Sequence, residues 1–479
     1  MNMLEFMIMI LIVTAFFMLV MKRSSIAIFS IFIVFILMFY LFLSQETIIV
    51  KFSGWEPPFG IVWVMDRLSA MMGLLITSIA FLVSIYSIKY VKERQHKFFA
   101  LVCLMIVGLL GVTMTGDIFN MYVFLEILSL SCYGLVAFNL DDEAIEGAMK
   151  YVILGPFSTS FALLGIAMLY GLTGTLNIAD LSLKIVHSIP FNIAFAFLIS
   201  GFALKAAIVP FHFWLPDVHP VAPSPISAML SSVVVGTGIY AVLRIIFTVF
   251  GFSSVFWLFI AFGLITMVIG GVIAIRQKDI KRMIAYSTVS QSGYIFLAIG
   301  LGSNLGVIAG LFHLLNNIIT KAMLFLIAGV IIWHTKTKDM NELGGLGKNM
   351  NLIMICFAIG ALSMAGLPPL NGFASKWLIY LATWETSPIL TAIALIVSGI
   401  TLIYYMKAFS SIFLGPSKQK TEKMETHTPK VMLIPIVFLA IISLIIGLFP
   451  QFFLEYLIDP AANALLNQSQ YINIVLGGG

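Results

Sequence analysis

The stretch MYVFLEILSLSCYGLVAF, residues 121–138, decides how the chain is understood. It is apolar or only weakly polar throughout, except for one carboxylate, Glu126. A run of about 20 mostly apolar residues is long enough for a helix to cross the hydrocarbon core of a bilayer. A charge at that depth costs about 2.5–3.5 kcal/mol on insertion scales and usually has a function. The stretch therefore predicts a membrane helix that contains a functional carboxylate.

The composition of the whole chain extends this interpretation. Of the 479 residues, 61% are hydrophobic and only 10% are charged, and the mean hydropathy is +1.08. Soluble proteins carry about 25% charged residues. The apolar runs are long and continuous, which excludes a β-barrel built from alternating segments of about ten residues. We therefore predict an all-α polytopic membrane protein, whose net charge of +5 reflects membrane orientation rather than nucleic acid binding.

The apolar runs predict about fourteen transmembrane helices. They lie near 4–20, 25–43, 62–88, 98–115, 117–138, 150–171, 191–210, 222–249, 253–275, 281–301, 304–333, 352–380, 387–414 and 431–449. The chain begins with an apolar run that lacks a basic start and a small-residue cleavage site, so we interpret this run as a retained first span.

The placement of lysine and arginine predicts the orientation. The loops after odd-numbered spans hold basic clusters, such as Lys89, Lys92 and Arg94, whereas the loops after even-numbered spans hold little beyond Lys51 and Lys184. Basic residues are enriched in cytoplasmic loops. We therefore expect a multi-pass protein of the cytoplasmic membrane with both termini outside.

Three lysines share the depth of Glu126 in the predicted spans, namely Lys205, Lys321 and Lys376. One carboxylate cannot neutralise three ammonium groups, which argues against ion pairs that serve packing alone. Burial disfavours a charged lysine, so a buried lysine is suited to exchanging a proton. Lys407 lies near the end of its span and is expected to reach the membrane surface; Arg244 is expected to do the same less easily.

Spacing adds a polar stripe to these charges. His313, Asn317 and Lys321 recur every fourth residue, so they lie on one face of a helix. Imidazole, amide and ammonium groups in register are typical of a lining that orders water and relays protons.

Helix breakers accompany two of the lysines. Pro210 follows Lys205, and GLPP at 366–369 precedes Lys376. Broken helices near the bilayer midplane are typical of transporters, often in two inverted halves. We expect four parts: helices 1–3 in residues 1–97, a first repeat of helices 4–8 in 98–249, a second repeat of helices 9–13 in 253–414, and a cytoplasmic loop, the last helix and a tail in 415–479.

Six motifs in order resemble one known family. They are GDIFNMYVFLEILSLSCYGLVAF, ALKAAIVPFHFWLPDVHPVAPSPISAML, QKDIKRMIAYSTVSQSGYIFLAIGLG, FHLLNNIITKAMLFLIAG, DMNELGGLGKNM and LSMAGLPPLNGFASKWLIY. Together they resemble the antiporter-like subunits of respiratory complex I, of Mrp-type cation/proton antiporters and of membrane-bound hydrogenase-related complexes. The resemblance covers roughly residues 60–415. It implies fourteen helices, two inverted five-helix repeats, broken helices 7 and 12, and a central polar axis.

The resemblance also implies roles for individual residues. Glu126 looks like the glutamate of helix 5, and Lys205 looks like its ion-pair partner on helix 7. His313 and Lys321 look like the relay of helix 11. Lys376 looks like the terminal lysine of helix 12.

Two positions depart from the family pattern. Many members carry a lysine or histidine in helix 8, where this chain offers only Ser231, Ser232 and Thr237. Hydroxyl groups that hold water are the expected substitute for an ionisable group at this position. Asn317 stands where a second histidine is common.

The sequence thus predicts an ion-translocating subunit of a complex-I-related respiratory complex, such as a membrane-bound hydrogenase, which couples redox energy to an ion gradient. The ion is a proton, with sodium as a second candidate. A subunit of a stand-alone Mrp-type sodium/proton antiporter and a non-conducting scaffold subunit are the alternatives.

The expected partners follow from that class. They are further antiporter-like subunits, small hydrophobic subunits, the lipid bilayer and, in a redox complex, a peripheral arm with iron–sulfur or nickel–iron subunits; nucleic acid is not expected. We expect no catalytic residues, cofactor or metal in the chain itself. Cys103, Cys132 and Cys356 are far apart in apolar runs and are expected to be buried apolar residues.

Overall fold

The computed structural model describes residues 2–186, 188–251, 256–416 and 427–477. The helices of the first half are α1 (Met3–Met21), α2 (Ser24–Ser44), α3 (Arg67–Tyr90), α4 (Gln95–Met114), α5 (Ile118–Val136), α6 (Asp142–Thr173), α7 (Ile178–Leu183), α8 (Ile189–Lys205), α9 (Trp214–Val218), α10 (Ser224–Met229) and α11 (Val235–Ile245). Those of the second half are α12 (Phe256–Arg276), α13 (Ile280–Gly300), α14 (Asn304–Thr335), α15 (Asn351–Ala365), α16 (Asn371–Thr386), α17 (Pro388–Phe409), α18 (Lys430–Leu448), α19 (Pro450–Phe453), α20 (Asp459–Leu466) and α21 (Gln468–Leu476).

The helices confirm an all-α polytopic membrane protein. Eleven of the described helical segments are long and apolar enough to cross a membrane, among them Ser224–Phe250, in which a π-helical turn joins α10 to α11. Each of the other three predicted spans is interrupted or polar. Helix α8 has only 17 residues before it breaks, α15 and α16 are separated by a break, and α13 carries a run of serine, threonine and glutamine. Residues 253–255 of the predicted ninth span, and 417–426 and 478–479 of the predicted C-terminal part, lie outside the described residues.

The third predicted span starts later than expected. We expected it from residue 62, but strand β2 (Val62–Met65) pairs antiparallel with β1 (Ile48–Lys51). Helix α3 begins only at Arg67, because the Asp66 carboxylate caps it by accepting a hydrogen bond from the Ser69 backbone N–H (2.9 Å). β-Branched and aromatic residues favour the pleated strand before that cap.

The C-terminal part is more ordered than the sequence indicated. Beyond α18 we expected only a tail, but the chain folds into α19, α20 and α21. Gln468 Nε2 donates to the Thr248 carbonyl (2.8 Å), and the Tyr471 ring lies 5.2 Å from the Arg244 guanidinium carbon. These short helices therefore cover the end of α11.

Both predicted helix breaks are present. Helix α8 ends at Lys205, and Ala207 has a positive φ of 55° before α9 begins. The Leu204 carbonyl freed by this break accepts from Trp214 Nε1 (2.8 Å). Helix α15 ends at Gly366, which adopts the left-handed conformation with a φ of 82° that favours glycine.

The most deeply buried helices define the centre of the bundle. In α14 and in the continuous helix Ser224–Phe250, 94% of the residues in the most apolar window are buried, compared with 39% in α6, α12 and α18. The less buried helices expose apolar faces that suit contact with lipid. Helix α12 lies against α13 at Gly263 and Gly293, where any side chain would meet backbone atoms of the other helix.

Candidate ion-translocation site

Lys205 lies among aromatic rings. Its side chain is buried, and its Nζ donates to the Tyr151 hydroxyl (2.9 Å). The Nζ also lies 4.7 Å from the centroid of the Tyr151 ring, 5.7 Å from that of Tyr133 and 6.0 Å from that of Trp214. Aromatic faces stabilise a cation at these distances without neutralising it.

The aromatic cluster around Lys205 is rigid. The rings of Tyr151 and Trp214 stack in parallel with centroids 4.5 Å apart, and Tyr133 packs edge-on against Tyr151 at 4.8 Å. Because the indole N–H of Trp214 is bonded to the backbone at the break, the stack is fixed to the end of α8. The break thus builds the surroundings of the lysine.

The expected ion pair between Glu126 and Lys205 is not formed. Among the ion pairs of the described residues none involves Glu126, and its buried Oε1 has no hydrogen-bond partner there. The ammonium group is instead in contact with Tyr151 and Tyr133. Tyr133 lies two turns beyond Glu126 on α5, so aromatic rings occupy the side of Lys205 that faces this helix.

Lys321 is held by hydroxyl groups. This fully buried residue of α14 donates from Nζ to Ser287 Oγ (2.6 Å) and to the Tyr405 hydroxyl (3.2 Å). Ser287 Oγ also accepts from the Tyr404 hydroxyl (2.9 Å). The ammonium group therefore belongs to a small network of hydroxyls between α13, α14 and α17.

His313 of α14 contacts side chains of α13 and α16. Its Nε2 lies 3.0 Å from Gln291 Oε1, and its Nδ1 lies 3.0 Å from Ser375 Oγ. The Gln291 amide oxygen only accepts, which assigns the ring hydrogen to Nε2; Nδ1 is then the acceptor facing the Ser375 hydroxyl, which also lies 3.2 Å from the Gly372 carbonyl. Gln291 lies one turn beyond Ser287 on α13, which aligns this contact with the network around Lys321.

Lys376 uses a carbonyl group that the second break releases. Its Nζ donates to the Met364 carbonyl (2.7 Å) and to Ser398 Oγ (2.7 Å). The ring centroid of Tyr294 lies 4.5 Å from the same nitrogen. The Tyr380 hydroxyl donates to Ser398 Oγ (2.8 Å) and extends the network along α16.

The stripe predicted on α14 is buried as one face. His313, Asn317 and Lys321 are all at most 1% exposed. Asn317 Oδ1 has no hydrogen-bond partner among the described residues, and neither has the neighbouring Thr320 Oγ1. Unpaired buried polar atoms of this kind are suited to holding water between His313 and Lys321, the two ends of the stripe.

The three hydroxyl groups in the eighth predicted span (222–249), which the structure forms from α10, a π-helical turn and α11, differ in their contacts. Ser231 Oγ contacts Thr288 Oγ1 (2.6 Å), next in sequence to the Ser287 that binds Lys321. Ser232 Oγ donates to Ala228 O of its own helix (2.6 Å), and Thr237 Oγ1 is buried without a partner in the described structure. Both serines lie in the π-helical turn Leu230–Val234, a feature that often marks functional sites.

His219 is the residue that the sequence analysis missed. It lies between α9 and α10, is fully buried, and has no hydrogen-bond partner on either ring nitrogen among the described residues. Its ring stacks on Phe325 (4.5 Å), one turn beyond Lys321 on α14. His219 lies between the predicted spans 191–210 and 222–249, where the sequence indicates only a connecting segment. In the structure its ring contacts Phe325 of α14, which belongs to the second half of the chain.

The polar residues described above lie within sequence motifs of one protein family, which matches most of the chain. Residues 115–401 match the family described as NADH:quinone oxidoreductase/Mrp antiporter, TM, and residues 57–99 match complex I chain 5 N-terminus of NADH-Ubiquinone oxidoreductase. The chain belongs to this family of antiporter-like subunits. The family resemblance carried by the six sequence motifs is thereby confirmed.

Three members of the antiporter-like family illustrate its range. NADH-quinone oxidoreductase subunit N of Desulforudis audaxviator is 34% identical over 83% of this chain and 84% of the relative. A subunit of the Na(+)/H(+) antiporter of Alkalihalophilus pseudofirmus is 32% identical over 89% of this chain and 88% of the relative. A chain of the membrane-bound sulfane sulfur reductase, an archaeal respiratory membrane complex, is 33% identical with a TM-score of 0.92, covering 99% of both chains.

Lys407 and Arg244 lie outside the group formed by Lys205, Lys321, His313 and Lys376, and they differ in burial. Lys407 is exposed and donates to the Ile275 carbonyl (2.9 Å), in keeping with a residue near the membrane surface. For Arg244 the expectation was wrong, because it is 1% exposed and forms an ion pair with Asp66 (2.7 Å). The carboxylate that caps α3 is close enough to neutralise the guanidinium inside this antiporter-like subunit.

The described residues contain no group of three or more histidine, cysteine, aspartate or glutamate side chains placed to hold a metal ion. Cys103, Cys132 and Cys356 are buried and unpaired, as expected for small apolar residues.

Proposed function

We propose that this antiporter-like subunit carries protons through the membrane, with sodium as the second candidate ion, and that it couples this movement to a complex-I-related respiratory complex. The observation that carries the proposal is that Lys321, His313 and Lys376 are all buried and each is hydrogen-bonded to neutral polar groups of the surrounding helices. Three buried lysines without a carboxylate partner among the described residues cannot be explained as packing ion pairs. Ionisable groups at such depth mark ion pathways and proton relays.

The second half supplies the geometry for proton exchange. An imidazole accepts a proton at Nδ1 and releases one from Nε2, so His313 can take a proton from water on one side and release it to water on the other, while Ser375 and Gln291 orient the ring. Ser375 adjoins Lys376, and Gln291 lies one turn from the serine that binds Lys321. Each lysine thus lies within one residue or one helical turn of a contact of His313.

The link between the halves is the step on which the scaffold alternative depends. Ser231 contacts Thr288 directly, and His219, beside the ring of Phe325, has no hydrogen-bond partner among the described residues. We propose that His219 takes the place of the ionisable group that helix 8 lacks, with water joining it to Lys321. Thr237 and Ser232 then have minor roles, since Ser232 is bonded within its own helix.

We also propose the finer architecture expected from the sequence. Eleven long helices together with α8–α9, α13 and α15–α16 add up to fourteen crossings. Two five-helix repeats in 98–249 and 253–414 each place a broken, lysine-bearing helix fourth, which supports an inverted repeat. Lys92, Arg94 and Lys336, from the loops after the third and eleventh predicted spans, line one surface cavity, which supports a cytoplasmic location for that face and outside termini.

The partners we propose are those of the redox complexes among the relatives. They include further antiporter-like subunits, small hydrophobic membrane subunits and a peripheral arm with iron–sulfur or nickel–iron subunits. We assign no cofactor, metal or catalytic residue to this chain. The similarity to an Na(+)/H(+) antiporter subunit supports a stand-alone Mrp-type antiporter as the second candidate.

Two measurements test these proposals. Purification in mild detergent with mass spectrometry of the co-purifying subunits should find iron–sulfur or nickel–iron subunits; a set of small hydrophobic subunits alone would favour the Mrp-type antiporter. In sealed vesicles, the intact complex should change the internal pH in sodium-free buffer, and Lys321→Ala should stop the change. A signal that requires sodium would make sodium the coupled ion, and undiminished transport by Lys321→Ala would contradict the proposal.

A further inference from the structure

A second cluster of buried charged groups lies apart from Lys205, Lys321, His313 and Lys376. It is at the face opposite the basic loops. It consists of Asp66 at the start of α3, Arg244 near the end of α11 and Tyr471 in α21, which are 6%, 1% and 5% exposed. Arg244 Nη2 donates to Asp66 Oδ1 (2.7 Å), and its guanidinium lies over the Tyr471 ring (5.2 Å). Asp66, Arg244 and Tyr471 are therefore in contact although they are far apart in the sequence.

This cluster leaves three polar atoms unsatisfied. Asp66 Oδ2, Arg244 Nη1 and the Tyr471 hydroxyl are buried and have no hydrogen-bond partner among the described residues. An acceptor, a donor and a group that acts as both are thus available together. Such atoms are rarely left unpaired in a folded protein, so they indicate bound water.

A cavity adjoins these atoms and provides the room. It has a volume of about 220 Å³, and its wall includes Asp66, Tyr471 and the more exposed Asn463, Asn467 and Gln470. A water molecule occupies about 30 Å³ in the liquid, so the space suits several waters. The exposed amides at one end and the buried carboxylate at the other make the cavity a wet passage inward from the surface.

Polar groups continue from the cluster toward Lys205. Arg244 Nε donates to the Tyr240 hydroxyl (3.2 Å), and Thr237, one turn before Tyr240 on α11, has an unpaired hydroxyl among the described residues. The next residue, Gly238, packs so closely on the Lys205 backbone that a Cβ there would lie 2.4 Å from its carbonyl carbon. Thr237, Tyr240 and Arg244 share one face of α11, and the adjoining face at Gly238 packs on the end of α8, so this stripe runs from the cluster along the helix that contacts the Lys205 backbone.

We propose that this stripe and cavity form a proton passage of the first half, with the Asp66–Arg244 pair as its gate. The inference rests on the proposed transport function. A proton arrives as hydronium in the cavity, binds Asp66 Oδ2 and leaves to water beside Thr237, so that every group regains its charge after one passage. Protonated Asp66 no longer neutralises Arg244, which makes the proton-bound state short-lived and suits a gate rather than a store. The guanidinium group of Arg67 in the cavity wall, and that of Arg244 bonded to Asp66 behind it, disfavour a bound metal cation.

The test uses a blocked cavity in the intact complex. The native cysteines of this chain are buried, so a membrane-impermeant, positively charged thiosulfonate reagent should react selectively with Asn463→Cys, at the cavity wall. Ser469→Cys is the matched control, because this exposed residue lies on the same surface but not in that wall. The reagent is applied to the face opposite the basic loops, and the reagent-treated complex without added cysteines gives the background.

We expect the reagent to lower proton transport by Asn463→Cys about fivefold or more, because an added cation and side chain exclude hydronium and water. The Ser469→Cys complex should keep its rate although it is labelled. Labelling of Asn463→Cys without a loss of transport, or no labelling at all, would overturn the passage and leave the transport function intact. A complex without added cysteines that moves no ions would overturn both.

Tyr471→Phe supplies a second test with little change in packing. It removes one unpaired hydroxyl but keeps the ring under Arg244. Transport should fall while the melting temperature of the complex is unchanged. An unchanged rate together with an unaffected Asn463→Cys complex would rule out the gate.

Discussion

Lys205 and Lys376 both lie beside a broken helix, but their ammonium groups are held in different ways. Among the described residues, Lys205 has one direct hydrogen bond, to the Tyr151 hydroxyl, and is otherwise faced by aromatic rings. Lys376 has two hydrogen bonds at 2.7 Å, to the Met364 carbonyl and Ser398 Oγ, and is faced by one ring. The same chemical group is therefore held by fewer direct hydrogen bonds in the first half than in the second.

The difference follows from the number of acceptors. An ammonium group carries three hydrogens, and aromatic faces attract the charge without fixing its direction. Lys205 can move toward or away from Glu126 at the cost of one hydrogen bond, whereas Lys376 would lose two. We expect charge movement in the first half and proton relay between fixed groups in the second.

The largest effect should come from Lys376→Ala. It removes the terminal group of the relay while the Met364 carbonyl and Ser398 Oγ stay in place. Ion movement by sealed vesicles should fall at least about tenfold, equivalent to about 1.4 kcal/mol. Assembly, followed by co-purification, should remain. Lys407→Ala is the control, because the exposed Lys407 contacts only a backbone carbonyl among the described residues. Normal pumping by Lys376→Ala would leave Lys376 a structural role only.

The pair Glu126 and Lys205 gives the next largest effect. Glu126→Gln and Lys205→Ala should each reduce transport strongly, because each removes one end of a charge movement. If both act in one step, the double variant should transport little worse than either single variant. Since the two side chains are not in contact, their effects on thermal stability should add within about 0.5 kcal/mol.

In this comparison of the two single variants and the double variant, thermal stability and transport rate test different hypotheses. A double variant that is more stable than either single one would show that an ion pair forms in the resting protein, since a single change then strands a buried charge. Additive losses of transport would show that Glu126 and Lys205 act independently. The hypothesis of a switch between them would then be abandoned.

A smaller effect is expected at the junction of the halves. His219→Leu keeps a buried apolar shape against Phe325 but removes both unpaired ring nitrogens. Transport should fall about fivefold, the equivalent of about 1 kcal/mol, without loss of assembly. Phe325→Leu is the control for the lost stacking. Equal rates for His219→Leu and the unchanged chain would show that protons cross between the halves without His219.

The sequence was sufficient for most of the fold because hydrophobic length carries the signal for membrane helices. The sequence-based prediction was wrong where a helix boundary depends on a capping residue or where the helices are short and polar. The strand Val62–Met65 was taken as part of a span because its residues are apolar, and only the cap at Asp66 separates it from α3. The helices beyond α18 are too short and polar to show the same signal.

For the site, the sequence identified the charges but not their partners. Proline positions indicated the breaks beside Lys205 and Lys376, because a missing N–H has a local effect. The contact of Arg244 with Asp66 joins residues far apart in the chain, and spacing on one helix cannot reveal it. His219 was missed for a related reason, since its burial depends on α14 packing over a segment that looks like a loop.

The smallest effect, and the sharpest test of the contrast between the halves, should come from Tyr151→Phe. The change removes the single direct acceptor of Lys205 and keeps the ring stacked on Trp214. A hydrogen bond to a charged group is worth about 1.5–3 kcal/mol, but water can replace the hydroxyl and the rings still attract the cation. Transport should therefore fall by less than about fivefold, with little change in melting temperature. Ser398→Ala is the matched change in the second half, where Lys376 keeps the Met364 carbonyl but loses its path to Tyr380. We expect Ser398→Ala to transport more slowly than Tyr151→Phe, because a fixed relay depends on each member. If Tyr151→Phe is as severe as Lys205→Ala, the Tyr151 hydroxyl carries the proton itself, and the first half is a relay like the second.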